Sequence, residues 1–490
     1  MIRLPEESVI RLRDLREIYF EKRDAALASV EDKSVKRRRH MLEGNLLVVI
    51  AMIAVPQVVT MLVDSLYNMA DAYYVSRLGE SAIAAVGVND SLMMLIRAVS
   101  IGFGMGSSSF ISRALGAGRD EDASRAGVTT LFSAMATLAV LAAIGSVFLL
   151  PLVNLLGSTD TVRPYSMQYA RWILISAPIT GADTVLAQIL RGEGSTVYSM
   201  IGMSTGCVVN VILDPIFINT LGLGVAGAAM ATGISKAVSL VILLWPFLRR
   251  KTVIRLKASF FTPTKEIYSE IARMGVPTML RTGLMSTSTI LINNTAASFS
   301  DAVMASVAIA TKSMKMVASG IMGFSQGFQP VAGYCYGAKV YGRVKKSYVY
   351  TIGIGLVLGI VLGGCFALFA PQIIGVFSGD PDVARIGLVL IRTQSATLIP
   401  HVWVMISTGL FQAMGKAMKA GVLGMSRQLF VLIPCVLILP RLFGAMGLAC
   451  SQAASDVISL AIAAIMVIPT FRELGVLEKT ASIQAGAPES

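Results

Sequence analysis

Five oxygen-bearing side chains lie within apolar stretches of the first half of the sequence. Asp64, Asn68 and Asp71 are spaced by four and then three residues, and Asn210 and Asp214 by four. On a helix each set lies on one face. An ionised Asp at the centre of a bilayer costs about 2.5–3.5 kcal/mol, so such residues usually face the protein interior, pair, or become protonated. The pattern indicates a buried polar site.

Two chemistries suit these side chains. Two carboxyl groups in one dry pocket do not easily both carry charge, so they could share a proton. They could equally hold Na⁺ with the help of an Asn carbonyl, because hard cations prefer oxygen ligands. We therefore predict a site for a coupling ion, H⁺ or Na⁺, at Asp71, Asn210 and Asp214, extended by Asp64 and Asn68.

The composition around these residues is that of a membrane protein. Of the 490 residues 54% are hydrophobic and 14% are charged, whereas soluble domains are about 25% charged. The apolar runs are about 20–25 residues long, which suits spanning helices rather than the shorter alternating segments of a barrel. We predict an all-α polytopic protein with twelve spans, at about residues 46–75, 82–113, 125–150, 164–187, 198–220, 225–248, 268–297, 303–334, 346–370, 386–410, 420–440 and 446–469.

The net charge of +13 is distributed as membrane topology requires. Basic residues cluster after spans 2, 6, 8 and 10, as in Arg249-Arg250-Lys251, and the other loops hold few. This positive-inside pattern predicts a multi-pass protein of the inner (cytoplasmic) membrane with both termini cytoplasmic, and it argues against a nucleic-acid partner. The N-terminal tail includes a stretch at 9–27 that could form a surface helix, and it ends in "KSVKRRRH", which either sets topology or contacts anionic lipids.

The sequence repeats itself at an offset of 221 residues. Pro56 matches Pro277 (277 − 56 = 221), and Gly102 matches Gly323. Two six-span halves that begin on the same side form a parallel repeat, so two bundles should face each other across a cleft and rock in alternating access. The predicted division is a charged cytoplasmic tail at 1–45, a first bundle at 46–248, a linker at 249–267, a second bundle at 268–470 and a second tail at 471–490.

The repeat fails at the polar residues. At the same offset Asn210 and Asp214 fall on Val431 and Cys435. A structural role shared by both bundles would tend to be retained in both, so the one-sided placement favours chemistry in the first bundle.

Other residues are weaker candidates. Pro56 removes a backbone hydrogen bond within span 1 and could act as a hinge. Lys312, Lys315 and Gln326 on span 8 could line the cavity of the second bundle. Two histidines and five scattered cysteines provide no metal-binding or catalytic motif, so we predict no cofactor beyond the coupling ion.

Three segments carry a resemblance to a known family: "VPQVVTMLVDSLYNMADAYYVSRLG", "NVILDPIFI" and "GFSQGFQPVAGYCYGAKVYGRVKKS". The chain resembles the multidrug and toxic compound extrusion (MATE) transporters, in their DinF-like branch. The resemblance implies two six-helix bundles around a V-shaped cavity and export of varied, often cationic amphipathic compounds driven by H⁺ or Na⁺. The branch's coupling positions match Asp71, Asn210 and Asp214, and its bending proline matches Pro56. Asp64 is an extra acid outside the branch's pattern.

We predict a secondary antiporter, monomeric and in contact with membrane lipids, that exports small drug-like molecules and is not an enzyme. A lipid-linked oligosaccharide flippase of the same superfamily is the nearest alternative, but it should have a strongly cationic central cavity. A membrane-embedded transferase would need a metal-binding DDxxD run or a catalytic His near an interface, and we find neither in the sequence.

Overall fold

The computed structural model describes residues 33–378 and 380–484, and nearly all of these residues are helical. No β-strand occurs in this part of the chain, and the predicted all-α class is confirmed. The elements of the first half are α1 (33–43), α2 (Leu46–Ser76), α3 (Glu80–Gly116), α4 (Asp120–Val147), α5 (Leu149–Leu155), α6 (Arg163–Glu193), α7 (Thr196–Pro215), a π-helical turn (Ile216–Thr220) and α8 (Gly224–Leu248).

The second half follows a linker that contains one short 3₁₀ turn at Ala258–Phe260. Its elements are α9 (Lys265–Ala297), α10 (Asp301–Gly337), α11 (Tyr341–Leu368), α12 (Ala370–Phe377), α13 (Pro381–Ala396), α14 (Leu398–Ala413), α15 (Ala417–Met425), a π-helical segment (Ser426–Leu432) and α16 (Ile433–Gln484).

In the described chain these elements make the twelve predicted crossings. Helices α2, α3, α4 and α6 to α11 make one each, α13 with α14 makes the tenth, and α15 with the start of α16 makes the eleventh. Gly444, at φ 58° and ψ −144°, breaks α16 between the eleventh and twelfth crossings, in a conformation that residues with a side chain rarely adopt. The last helix continues to Gln484, past the predicted end near residue 469.

Hydropathy separates the more apolar spans from the more polar ones. Eight helical segments of the described chain are each long and apolar enough to cross a membrane on composition alone. Helices α9 and α10 are equally long but fall outside that set, and they carry Arg281, Lys312 and Lys315. Charged residues within spans usually face a bundle interior or a water-filled cavity, so α9 and α10 are the expected lining of a polar space.

The helices pack as two bundles. In the first, α3 packs on α4 and α6, α6 packs on α8, and α2 packs on α7. In the second, α10 packs on α11, α13 and α14, and α14 packs on α16. The bundles are joined chiefly by three helix pairs, α3 with α9, α2 with α10 and α3 with α10.

Glycines allow these inter-bundle pairs to approach closely. A Cβ added at Gly323 of α10 would lie 2.8 Å from the Val58 Cα of α2, and one at Gly275 of α9 would lie 2.7 Å from the Gly102 carbonyl oxygen of α3. No side chain larger than hydrogen fits at such distances, so the backbones themselves are in contact, as is common between membrane helices.

Close contacts between the bundles lie towards one end of the helices, and we infer that the cleft is closed there and open at the other end. At the closed end Arg113 of α3 pairs with Glu270 of α9 at 2.9 Å. Towards the opposite ends of their helices, Asn68 of α2, Asp90 of α3 and Lys315 of α10 are exposed.

Glu193, at the end of α6, connects several parts of the chain at the closed end. Its buried carboxylate pairs with Arg37 of α1 and accepts from the backbone amides of Val253 at 3.0 Å and Ile254 at 3.3 Å, both in the linker. Its carbonyl oxygen accepts from the Tyr334 hydroxyl of the second bundle at 3.0 Å. Burial lowers the pKa of the Arg37 guanidinium, but the Glu193 carboxylate and Tyr334 keep that pKa above its ordinary value.

Helix α1 also reaches the second bundle, because Arg343 of α11 donates to the Met41 carbonyl oxygen at 3.1 Å. The basic end of the tail is therefore docked against protein at Arg37 and Met41. The stretch at 9–27, predicted as a surface helix, lies outside the described residues.

Candidate functional site

Helix α7 places Asn210 and Asp214 one turn apart in the interior of the first bundle. Both are buried, with 1% and 0% of their surface exposed. With the Asn210 amide oriented to suit both neighbours, its nitrogen donates to Asp214 Oδ2 at 3.0 Å and its oxygen accepts from the Thr232 backbone amide at 3.1 Å. Asp214 Oδ1 is buried and has no hydrogen-bond partner among the described residues. One carboxylate oxygen is thus available to a proton or a cation.

Two further carboxyl groups, from α2 and α3, extend the acidic site beyond Asp214. Asp71 is half-buried and lies close enough to Asp214 for their charges to interact. Asp90, which is exposed, acts on Asp71 in the same way. Like charges held together in a partly dry pocket repel, so a bound proton or cation would stabilise this arrangement.

Asp64 and Asn68 lie on the same helix as Asp71 but in a different environment. Asn68 Nδ2 donates to the Asp64 carbonyl oxygen at 2.5 Å and lies 3.4 Å from Asp64 Oδ2. Arg97 of α3 pairs with Asp64 at 3.5 Å. The charge of Asp64 is therefore already compensated by a side chain, whereas no ion pair to Asp71 or Asp214 occurs in the described structure.

One more acid of the first bundle is neutralised inside it. Asp183 of α6 is fully buried, accepts from Ser239 Oγ at 2.5 Å and pairs with Lys236 Nζ at 3.3 Å. Both partners are on α8, so this pair ties α6 to α8.

Two prolines lie on the helices that carry Asp71 and Asp214. Pro56 is buried within α2, which continues as a helix on both sides of it, and its carbonyl oxygen accepts from Thr60 Oγ1 at 2.8 Å. Pro215 ends α7, and the π-helical turn after it is closed by Leu221 N–H donating to the Ile216 carbonyl oxygen at 2.9 Å. Backbone irregularity of this kind is frequent near functional sites.

The candidate cavity residues of the second bundle fall into two groups. Lys312 and Lys315 are exposed on α10, and the charge of Lys315 acts on Asp90 across the cleft. Gln326 instead accepts from Nη1 of the buried Arg191 at 2.7 Å, which joins α10 to α6.

The second bundle contains its own buried charges. Arg427, in the π-helical segment, pairs with Asp456 of α16 at 2.5 Å, and His401 Nδ1 of α14 lies 3.4 Å from the same carboxylate oxygen. Among the described residues no group of three or more His, Cys, Asp or Glu side chains is arranged to hold a metal ion.

The sequence reasoning missed three residues: Asp90, Glu193 and Arg427. Asp90 meets the criterion that selected Asp71, an acid within an apolar span, in "VGVNDSLMML". Glu193 lies at a span end, where a charge is unremarkable, and only its burial shows that it is a structural centre. Arg427 lies in the predicted span 11, and the same search for charges within spans would have found it.

A family model described as MatE matches the chain twice, at residues 56–216 and 277–437. The two matches are offset by 221 residues (277 − 56), which is the offset of the sequence repeat.

Similar proteins include the multidrug export protein MepA of Staphylococcus saprophyticus, which is 26% identical over 433 residues, covering 87% of this chain and 94% of that protein. MepA of Staphylococcus aureus strain MSSA476 is 26% identical over 86% of this chain and 93% of its own. Among solved structures, an outward-facing multidrug resistance MATE family transporter of the MOP superfamily has a TM-score of 0.83 at 28% identity, covering 89% of this chain and 98% of that one. A MATE crystal structure in the bent conformation has a TM-score of 0.84 at 27% identity, covering 91% and 99%.

Proposed function

The chain belongs to the MatE family of membrane transporters, and on that premise we propose that it exports varied organic compounds, often cationic and amphipathic, in exchange for H⁺ or Na⁺. It is a multidrug-export type of transporter and not an enzyme.

The proposal depends chiefly on the unpartnered Oδ1 of Asp214. A buried carboxylate oxygen without a partner is costly, and the nearby charge of Asp71 increases that cost. A proton or Na⁺ bound between Asp71 and Asp214, with the Asn210 amide beside it, would give the unpartnered oxygen a partner and reduce the repulsion between the two carboxylates. Asp64 and Asn68 extend this site towards the cleft, where Arg97 already balances Asp64.

Ion binding at this site can be coupled to a conformational change because the site contains residues from two helices that pack on each other. Asp71 is on α2 and Asp214 is on α7, and these helices pack directly on each other. A bound ion would let α2 pack more tightly on α7, and α2 also packs on α10 of the second bundle. Since an ion can shift a conformational equilibrium only through different affinity for the two states, repacking of α2 would link ion occupancy to the cleft.

The test is dye efflux from proteoliposomes with pH and Na⁺ gradients imposed separately. Asp71→Asn should abolish efflux under either gradient, because an amide cannot take up a proton and is a poorer cation ligand than a carboxylate. Asp160→Asn is the matched control, since the Asp160 side chain is 89% exposed in a loop. Full efflux by folded Asp71→Asn protein would reject the coupling site.

Pro56 is the proposed hinge of α2. It lies between the close contact of Val58 with Gly323 and the helix start, so bending there would change how α2 meets α10. The repeat offers Pro277 as its counterpart, without an acidic site above it on the same helix.

The remaining features follow from the same proposal. Both termini and the linker at 249–267 are proposed to be cytoplasmic, which makes the closed end of the cleft the cytoplasmic end and the conformation outward-facing. A monomer surrounded by lipid suffices, since the acidic site is built from one chain. The acidic first bundle gives no support to the lipid-linked oligosaccharide alternative, which should have a uniformly cationic cavity.

A further inference from the structure

The two bundles carry opposite charge in their interiors. Three acids, Asp71, Asp90 and Asp214, gather in the first bundle. In the described spans of the second bundle the single interior acid is Asp456, and it is already paired with Arg427. The interior of the second bundle is therefore left with an excess of positive charge.

Arg281 of α9 is the centre of that excess. Its Nε is buried and has no hydrogen-bond partner, and no ion pair to it occurs in the described structure. The charge of Arg427 acts on it repulsively. Gly424 of α15 makes room for the side chain, since a Cβ there would lie 3.0 Å from Arg281 Cδ. A guanidinium held without a counter-charge is costly, and its persistence needs a reason.

The space beside Arg281 has the size and polarity for one oxygen atom. A cavity of about 10 Å³ lies between α9, α14 and α15, lined by Arg281, Thr278 and Gln412 among others. That is about the least space that holds one water molecule, and so one oxygen atom of a carboxylate. It lies where the second bundle meets the first, since the Gln412 carbonyl oxygen accepts from Ser109 Oγ of α3 at 2.5 Å.

Two lysines make the wall that the second bundle contributes to the open part of the cleft positively charged. Lys312 and Lys315 are exposed one turn apart on α10, and Lys315 faces Asp90 of the first bundle. A compound in the cleft would thus meet acids on one wall and cations on the other.

We propose that the second bundle holds a subsite for an anionic group, centred on Arg281, so that the transported compounds include amphipathic molecules with a carboxylate. This inference rests on the proposed function, because it assigns one part of the substrate to one wall of the same cleft. Arginine suits the role because its planar fork donates strong, charge-assisted hydrogen bonds to carboxylates, one of them to the oxygen in this cavity.

The test is equilibrium binding of two rhodamine dyes that differ in one group, a free carboxylate or its methyl ester. The full-length protein is placed in nanodiscs of phosphatidylcholine, and binding is followed by fluorescence anisotropy. Arg281→Gln should weaken binding of the acid about 10- to 100-fold and change binding of the ester by about 2-fold or less. Arg281→Lys should be intermediate, because it keeps the charge without the fork.

Arg385→Gln is the matched control, since Arg385 is exposed at the start of α13 and its loss should affect neither dye. Thermal unfolding separates a binding role from a structural one. Removing a buried charge that has no counter-charge should leave the melting temperature of Arg281→Gln unchanged or raised, whereas loss of a structural arginine would lower it. Equal weakening of both dyes, or no weakening of the acid, would overturn the subsite.

A second arm identifies the source of the anionic group. Nanodiscs containing phosphatidylglycerol are compared with neutral ones. If this lipid displaces the acid dye from the wild type and the dye is not exported, the subsite binds a headgroup and the substrate assignment is wrong. Dye binding needs no ion gradient, so a failure of the subsite proposal can be distinguished from a failure of the proposed function. The latter would appear as absent gradient-driven efflux in the wild type.

Discussion

The carboxylates of the first bundle differ in whether neighbouring side chains already neutralise or hydrogen-bond them. Asp183 is saturated by Lys236 and Ser239, and Asp64 is balanced by Arg97. Asp214 has one oxygen satisfied by Asn210 and one left without a partner. All three residues are aspartates within predicted spans, so the partner supplied by a neighbouring helix decides which acid can bind an ion.

Glu193 provides a prediction about stability at the residue scale. Glu193→Ala leaves Arg37 unpaired and frees two backbone amides of the linker, so it should destabilise the fold by about 3–5 kcal/mol. Thermal unfolding in detergent would show this as a melting temperature lower by several degrees. The control is Glu43→Ala, which breaks an exposed pair with Arg39 and should cost about 0.5 kcal/mol or less. Equal effects of the two changes would contradict the role of Glu193.

At the scale of elements, helix irregularities coincide with polar sites in both bundles. A π-helical turn follows Pro215 in the first bundle, and a longer π-helical segment holds Arg427 in the second. Hydroxyl groups satisfy carbonyls in the latter, since Ser455 Oγ donates to the Arg427 carbonyl oxygen at 2.8 Å and Ser288 Oγ to that of Gln428 at 3.3 Å. These irregularities turn polar side chains inward without leaving backbone groups unpaired in the membrane.

The hinge proposal leads to a prediction for α2. Pro56→Ala restores a backbone hydrogen bond and should make α2 straighter and stiffer. Efflux should fall about 10-fold or more while dye binding and thermal stability are retained. Pro277→Ala, the change at the repeat-related position, should leave efflux within about 2-fold of the wild type. The hinge is refuted if Pro56→Ala transports normally or if both substitutions have the same effect.

At the scale of the whole molecule, the two bundles meet at the closed end through backbone contacts at glycines and through a few ion pairs. Gly323 and Gly275 let backbones touch without interlocking side chains, while Arg113–Glu270 spans the two bundles. Contacts of this kind can separate as units, which a rocking motion of two bundles requires.

Loss of the Arg113–Glu270 pair should therefore favour the opposite conformation. In a protein without its native cysteines, spin labels at positions 160 and 301 report the width of the open end, because Asp160 is exposed in a turn there and Asp301 is exposed at the start of α10. Glu270→Gln should shift the distance distribution towards shorter values, with a change of about fivefold in population for about 1 kcal/mol.

Glu266→Gln is the control, an exposed position one turn earlier on α9. An unchanged or longer distance in Glu270→Gln would exclude the pair as a determinant of closure.

The sequence by itself determined the class of the molecule and the identity of most candidate site residues. Hydropathy and run length identify most spans because lipid requires apolar helices of a set length; eight helical segments of the described chain meet both criteria. The repeat offset of 221 residues is visible in the glycines and prolines. The acids at Asp71 and Asp214 were identifiable because a charge in an apolar run is rare.

Only the tertiary structure decided which of these acids has a partner. Arg97 lies 33 residues from Asp64 in sequence (97 − 64), and nothing in their spacing indicates that they pair. Likewise the docking of Arg37 on Glu193, and the absence of a partner for Arg281 Nε among the described residues, depend on which helices lie side by side. Charge compensation is a property of distances across the bundle, and these distances are fixed by packing rather than by local sequence.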